Sequence, residues 1–291
     1  MFAPPSPIYI ESAMLADAAF GTCPGYAAAE LPGAVRPLDS WYRAVILGGQ
    51  GRYAAARAEL RSLPASTTDP VLLSLAASTE GSLLRQLGWH ARAAAFDGRA
   101  AALILPSRSR DHDELGPGRV DAVCDALTGL AADALGTGRL ALATRLLRRS
   151  HDELTRAGSS AGWRALIRWH WVCAETALAS GAADTATPHA ATALALAEDG
   201  PSVRHRVKSR LLVAATAAAS GDSERARVLA DEVAEQCREH DLLPLRWASS
   251  MLRAGVSVGG RAVEAEAEAR RCAETIGRRG GHFRPMSDSR V

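Results

Sequence analysis

The residues that could do chemistry are few and scattered. Lys208 is the sole lysine among 34 basic residues, so a Schiff base could form only there. A phosphate-binding P-loop needs Gly-Lys-Ser/Thr, and Lys208 follows Val207 with no glycine beside it. The strand lysine and companion motifs of a kinase are missing as well. Gly158-Ser159-Ser160-Ala161-Gly162 matches the G-x-S-x-G string of a nucleophile elbow, a motif that needs a strand before its serine. Here the helical stretch Leu140 to Arg156 precedes it, so the string reads as a helix–helix linker. Gly136-Thr137-Gly138-Arg139-Leu140-Ala141 matches a dinucleotide fingerprint in letters only, again after a helix, and reads as a turn.

Asp111-His112-Asp113-Glu114 sets four potential metal ligands side by side in a polar loop. Adjacent residues of this kind rarely converge on one ion, so a solvated acidic loop is expected. No H-E-x-x-H and no paired Cys/His spacing occurs. The five cysteines (23, 124, 173, 237 and 272) lie far apart, as small buried apolar groups would in a reduced, cytosolic compartment. Neither a metal, nor a cofactor, nor covalent catalysis is expected.

Two stretches stand apart. Trp163 to Cys173 holds half of the six tryptophans, and a helix cannot point Trp169, His170 and Trp171 in one direction. Further on, Val203, Val207, Leu211 and Ala214 form an apolar stripe, while Arg204, Arg206, Lys208 and Arg210 supply only positive charge between Val203 and Ser220.

The elements that must position these residues follow from composition. Of 291 residues, 47% are apolar, 23% charged and only 5% aromatic. There are 60 alanines, and Arg makes up 33 of the basic residues, biases that fit a GC-rich coding sequence. Alanine is the best helix former and packs closely, while the aromatic and β-branched enrichment of sheets is lacking. An all-α fold is expected. A net charge of +2 is too balanced to imply direct nucleic-acid binding. The longest uncharged apolar run, Leu211 to Ser220, is too short to span a bilayer. No secretory pattern opens the chain, so a cytoplasmic location is expected.

Residues 1–37 carry six prolines and read as a partly disordered arm with a short helix around Ile10 to Phe20. Residues 38–276 form the helical domain, and 277–291 read as a disordered basic tail. Within the domain, Gly51, Gly88, Gly138, Gly181, Gly221 and Gly260 each separate two helical patterns. Five residues beyond each stands an alanine: Ala56, Ala93, Ala143, Ala186, Ala226 and Ala265. Seven residues before, the side chain is small in Ala44, Gly81, Ala131, Ala174 and Ala214, with Arg253 the exception. A tight turn between antiparallel helices needs a glycine, and close helix axes need small residues on both partners. Repetition lets each hairpin bury its apolar face on the next. The longest interval, from Gly88 to Gly138, holds the breaker-rich loop Pro106 to Gly118.

Segments such as Leu47-Gly48-Gly49-Gln50-Gly51-Arg52-Tyr53-Ala54-Ala55-Ala56 and Leu87-Gly88-Trp89-His90-Ala91-Arg92-Ala93 carry a resemblance to the tetratricopeptide repeat family. Gly138 to Ala143 and Gly221 to Ala226 repeat the same logic. The repeat intervals are longer than the family's 34 residues, and its aromatic positions are mostly aliphatic or small here. The resemblance implies an α-solenoid of about six antiparallel hairpins, with the first helix of each lining a concave groove. Registered on the turn glycines, Arg168, Trp171, Arg204, Lys208, Leu211 and Trp247 fall at or beside groove positions. Basic and aromatic side chains there suit a protein or peptide partner, with an acidic peptide or a terminal carboxylate as candidates. The opposing reading makes the charges a solvated face and the tryptophans core. The implied function is a non-catalytic interaction scaffold or regulatory module, with a homodimer through a terminal hairpin as an option. Alternatives are an indirect regulator of transcription or signalling, and an all-α enzyme of unknown type.

Overall fold

The computed structural model describes residues 7–106, 117–158 and 161–285. The Asp111–Glu114 cluster and Ser159 and Ser160 of the G-x-S-x-G string lie outside the described residues. Thirteen helices are found and no strand among the described residues. A leading helix, α1 (Pro7–Phe20), precedes six hairpins. These are α2 (Pro37–Gly49) with α3 (Tyr53–Ser66), α4 (Pro70–Gln86) with α5 (His90–Ile104), and α6 (Arg119–Gly136) with α7 (Leu140–Ala157). They continue with α8 (Trp163–Ala179) and α9 (Ala183–Asp199), α10 (Val203–Ala219) and α11 (Ser223–Glu239), and α12 (Leu243–Val256) and α13 (Gly260–Arg278).

The turns form for the reason the spacing implies. Gly51, Gly88, Gly138, Gly181 and Gly221 take φ between 73° and 86°, where a Cβ would collide with the backbone. The amide after each glycine then reaches back to close the helix end, as Arg139 N–H does to the Ala134 carbonyl (2.8 Å) and Ala182 N–H to that of Ala177 (2.9 Å). The sixth turn differs by one residue from the sequence expectation: Gly259 has the positive φ (62°), and Gly260 is the first residue of α13. At the helix crossings, Ala56, Ala93, Ala143, Ala186, Ala226 and Ala265 are each no more than 1% exposed. Arg253, the exception to the small-residue rule, bonds Asp231 (2.6 Å) and Glu268 (2.8 Å) instead.

The solenoid closes on itself. Trp41, Tyr53, Leu243 and Ile276, from the first and last hairpins, share one apolar cluster. Arg279 donates to the Gln50 carbonyl (2.7 Å), and Ala54 N–H donates to the Arg279 carbonyl (3.0 Å). The segment 277–285, read from sequence as part of a disordered tail, instead straps the last hairpin to the first two. Arg284 N–H donates to the Leu87 carbonyl (2.8 Å), Trp89 Nε1 to the His282 carbonyl (2.8 Å), and Phe283 packs on Trp247 with ring centres 4.6 Å apart. The low hydropathy of this strap hid its docking, which depends on one aromatic ring, the Arg279 guanidinium and backbone groups. The arm is held likewise: Gln50 Nε2 donates to the carbonyls of Pro24 and Tyr26.

Candidate binding site on the inner wall

Successive turns place the first helix of each hairpin against the first helix of the next, so side chains of these helices meet inside the closed turn. There they enclose a cavity of about 60 Å³. Its walls come from α2 (Trp41, Val45, Gly49), α4 (Ser78, Ser82, Gln86), α6 (Asp125), α8 (Arg164, Arg168) and α10 (Arg204), with Phe20 of α1 at one side.

Charge in this wall is uneven. Arg164 and Arg168, one turn apart on α8, both address the buried Asp125. Arg164 Nη1 donates to Oδ2 at 2.7 Å, and Arg168 Nε lies 3.0 Å from Oδ1. Among the described residues, Arg204 reaches no carboxylate; its Nη1 donates to the Val45 carbonyl at 3.1 Å. Phe20 lies against both sides of the pair, its ring centre 5.2 Å from the Arg164 guanidinium carbon and 5.8 Å from that of Arg204. Burial would raise the Asp125 carboxyl, but Arg164 and Arg168 outweigh it and hold it below the usual range. Burial and the charges of Arg168 and Arg164 pull Arg204 down to about 10. Next to them, burial and the three arginines keep His205 well below its ordinary value, so its ring is neutral and accepts or donates only to Ser202 Oγ (2.8 Å).

A second buried ionic group buttresses the wall from behind. Arg85 Nη1 bridges Asp97 (2.6 Å) and Asp133 (2.7 Å). Gly81 and Gly129 make room for it, since a Cβ on either would meet an Asp97 carboxylate oxygen at 2.5 and 2.3 Å. Burial drives Asp133 up to about 7 against the opposing pull of Arg85, with Asp97 adding to the rise. Below neutral pH the pair therefore retains a proton that an exposed carboxylate releases.

Of the groove positions expected from sequence, Arg168 and Arg204 line this cavity. Lys208 is half-buried on α10 and paired with Glu175 at 2.6 Å. Trp171 is wedged between α8 and α10, stacked on His205 with its Nε1 donating to Ser209 Oγ (2.8 Å). Leu211 is only 7% exposed and belongs to the core with Val203, Val207 and Val233. It was both a stripe residue and a groove position, and packing decided for the stripe. Trp247 is covered by Phe283 of the strap. Arg164, Ser78, Ser82 and Phe20 were missed. Arg164 was legible as the residue one turn before Arg168; the placement of Phe20 depends on how the arm folds back, which no periodicity encodes.

No protein-family model matches this chain, and no curated protein matches it in sequence. Solved structures do. The chain is similar to a Rap protein complexed with competence and sporulation factor, with a TM-score of 0.61 and 11% identity over 93% of this chain and 77% of that one. It is also similar to aspartyl phosphate phosphatase F from Bacillus subtilis, with a TM-score of 0.50 and 12% identity over 95% and 77% of the two chains. These likenesses define the class: an all-α, tetratricopeptide-like helical-repeat fold. Within that class, this chain is a six-hairpin solenoid preceded by one helix and closed by a C-terminal strap.

Proposed function

We propose that the protein is a non-catalytic regulatory module that binds a peptide or protein segment on its inner wall. The observation that carries this reading is the wall itself. Four of the six first helices turn polar or charged side chains toward a common space, three arginines among them, where desolvated charge costs stability unless a partner uses it. The Rap protein of similar fold, solved with competence and sporulation factor, supports the same reading. The excess of arginine favours an acidic segment. With α1 and the strap in place the interior is narrow, so a segment of any length enters by moving Phe20 and the arm. Action on transcription or signalling would then be indirect, through the partner. A homodimer would use the terminal hairpin, where Met251, Val258 and Val263 are exposed, and sedimentation distinguishes it from a monomer. The name of the similar phosphatase makes hydrolysis the second reading, tested by release of phosphate from an acyl phosphate.

The test of binding is photo-crosslinking in cells. A crosslinking amino acid replaces Ser82, on the inner wall, or Thr187, exposed on α9. The partner is expected on Ser82 and not on Thr187; capture at Thr187 alone refutes the reading.

A further inference from the structure

We propose that the space between α4, α8 and α10 is a site for a phosphate group, met either as inorganic phosphate or as a phosphorylated side chain on a bound segment. The second source rests on the reading of the inner wall as a peptide site; the first does not.

Three observations converge. Charge comes first. Arg164, Arg168 and Arg204 face the cavity with Asp125 as the carboxylate in its lining. Asp121, outside the lining, meets Arg164 Nη2 at 3.7 Å, so three guanidiniums stand against two carboxylates, and the surplus charge is that of Arg204, whose Nη1 donates to the Val45 carbonyl. A buried cation without its counterion is costly, so the surplus favours an anion in this space.

Hydrogen bonding is the second observation. Among the described residues, Ser78 Oγ and Arg164 Nη2 lack a hydrogen-bond partner, although Arg164 is 7% and Ser78 3% exposed; the Asp121 carboxylate stands 3.7 Å from Arg164 Nη2, and Arg168 Nε is paired with Asp125 at 3.0 Å. Buried donors are nearly always satisfied, so an idle set around one cavity marks a missing acceptor. These donors approach from α4 and α8, with Arg204 on α10. Such a distribution suits a tetrahedral anion better than a planar one, and guanidinium forks match phosphate oxygens in pairs.

Size is the third. About 60 Å³ is several times the roughly 10–15 Å³ that admits one water, so the space takes a group of a few heavy atoms such as a phosphate. The ring of Phe20, flat against two of the arginines, excludes bulk water from one side and strengthens the field felt by an anion.

The test is calorimetric titration of the full chain with inorganic phosphate, with acetate, and with one short acidic peptide in phosphorylated and unphosphorylated forms. The variants are Arg204→Gln and Ser78→Ala. Saturable binding of phosphate is expected, with no response to acetate. Arg204→Gln weakens it at least about tenfold, as loss of a charged donor does, and Ser78→Ala by a few-fold. Ser78→Ala keeps every charge and carries the test if Arg204→Gln does not fold. A phosphopeptide that binds at least about tenfold tighter than phosphate assigns the site to a modified segment; equal or weaker binding assigns it to the free ion. Absence of phosphate and phosphopeptide binding, or binding untouched by both variants, overturns the proposal. Binding of only the unphosphorylated peptide overturns it too, yet leaves the inner wall as a peptide site. Phosphate binding without any partner captured at Ser82 keeps the anion site and removes the peptide reading.

Discussion

Replacing Asp133 by Asn removes a charge that burial makes costly to the folded protein. The Asp133 carboxyl is 1% exposed, shares Arg85 with Asp97, and rises from 3.8 to about 7 on folding. The folded chain therefore carries a proton between pH 4 and 7 that the unfolded chain has released. By linkage this group costs stability progressively as pH rises through that window, and the full cost is present above pH 7. About three powers of ten at 1.36 kcal/mol each set a ceiling of roughly 4 kcal/mol. Arg85 lies against both carboxylates and the proton is shared, so about 2 kcal/mol is the working figure. Asn keeps an oxygen for Arg85 and supplies, without a proton, the donor that a protonated carboxyl offers Asp97. Asp133→Asn is thus expected to match the parent near pH 4 and to exceed it by about 2 kcal/mol at pH 8. Urea unfolding at half-unit pH steps gives the difference directly. The neutral histidines His170, His189 and His205, whose values are lowered mainly by burial, destabilise both proteins equally in acid and cancel in the difference. A difference that is flat with pH, or that disfavours the variant at pH 8, refutes the shared-proton reasoning.

Other expectations follow from the repeat. Ala186→Leu inserts three heavy atoms at a crossing that is fully buried and should cost about 3 kcal/mol in urea unfolding, while exposed Ala191→Leu should change little. Gly181→Ala meets no neighbour, so its loss of about 1 kcal/mol reports backbone strain at φ 73° alone. Gly98→Ala, mid-helix and with open space, should gain up to about 1 kcal/mol. Phe283→Ala removes the ring on Trp247 and should cost about 1–2 kcal/mol. It should also speed hydrogen exchange at the Ala54 and Arg284 amides, which bond within the strap contacts.

Much of the fold was legible because the repeat makes local demands. A turn glycine and a crossing alanine must recur wherever a hairpin recurs, and Gly51 with Ala56 or Gly181 with Ala186 announces them in order. The closure was not legible, because it depends on long-range contacts. Nothing near Arg279 states that its partner is the carbonyl of Gln50, 229 residues away. The site was legible in part for the same reason. Arg168 and Arg204 stood out as charges on first helices, but helical phase alone could not separate Arg204, facing the cavity, from Leu211, facing the core. Ser78 carried no signal, since a serine acquires meaning only when three arginines from other helices arrive beside it.

The inner wall as the binding surface is tested most directly by filling it. Ser82→Trp projects an indole into the cavity and leaves the outer faces and the terminal hairpins untouched. Binding of the segment captured at position 82 would be measured by titration, with circular dichroism confirming that the variant is folded. Loss of binding by the folded variant is the expected result. Binding at full affinity with the cavity filled would contradict the proposal and move the partner to the outside of the solenoid.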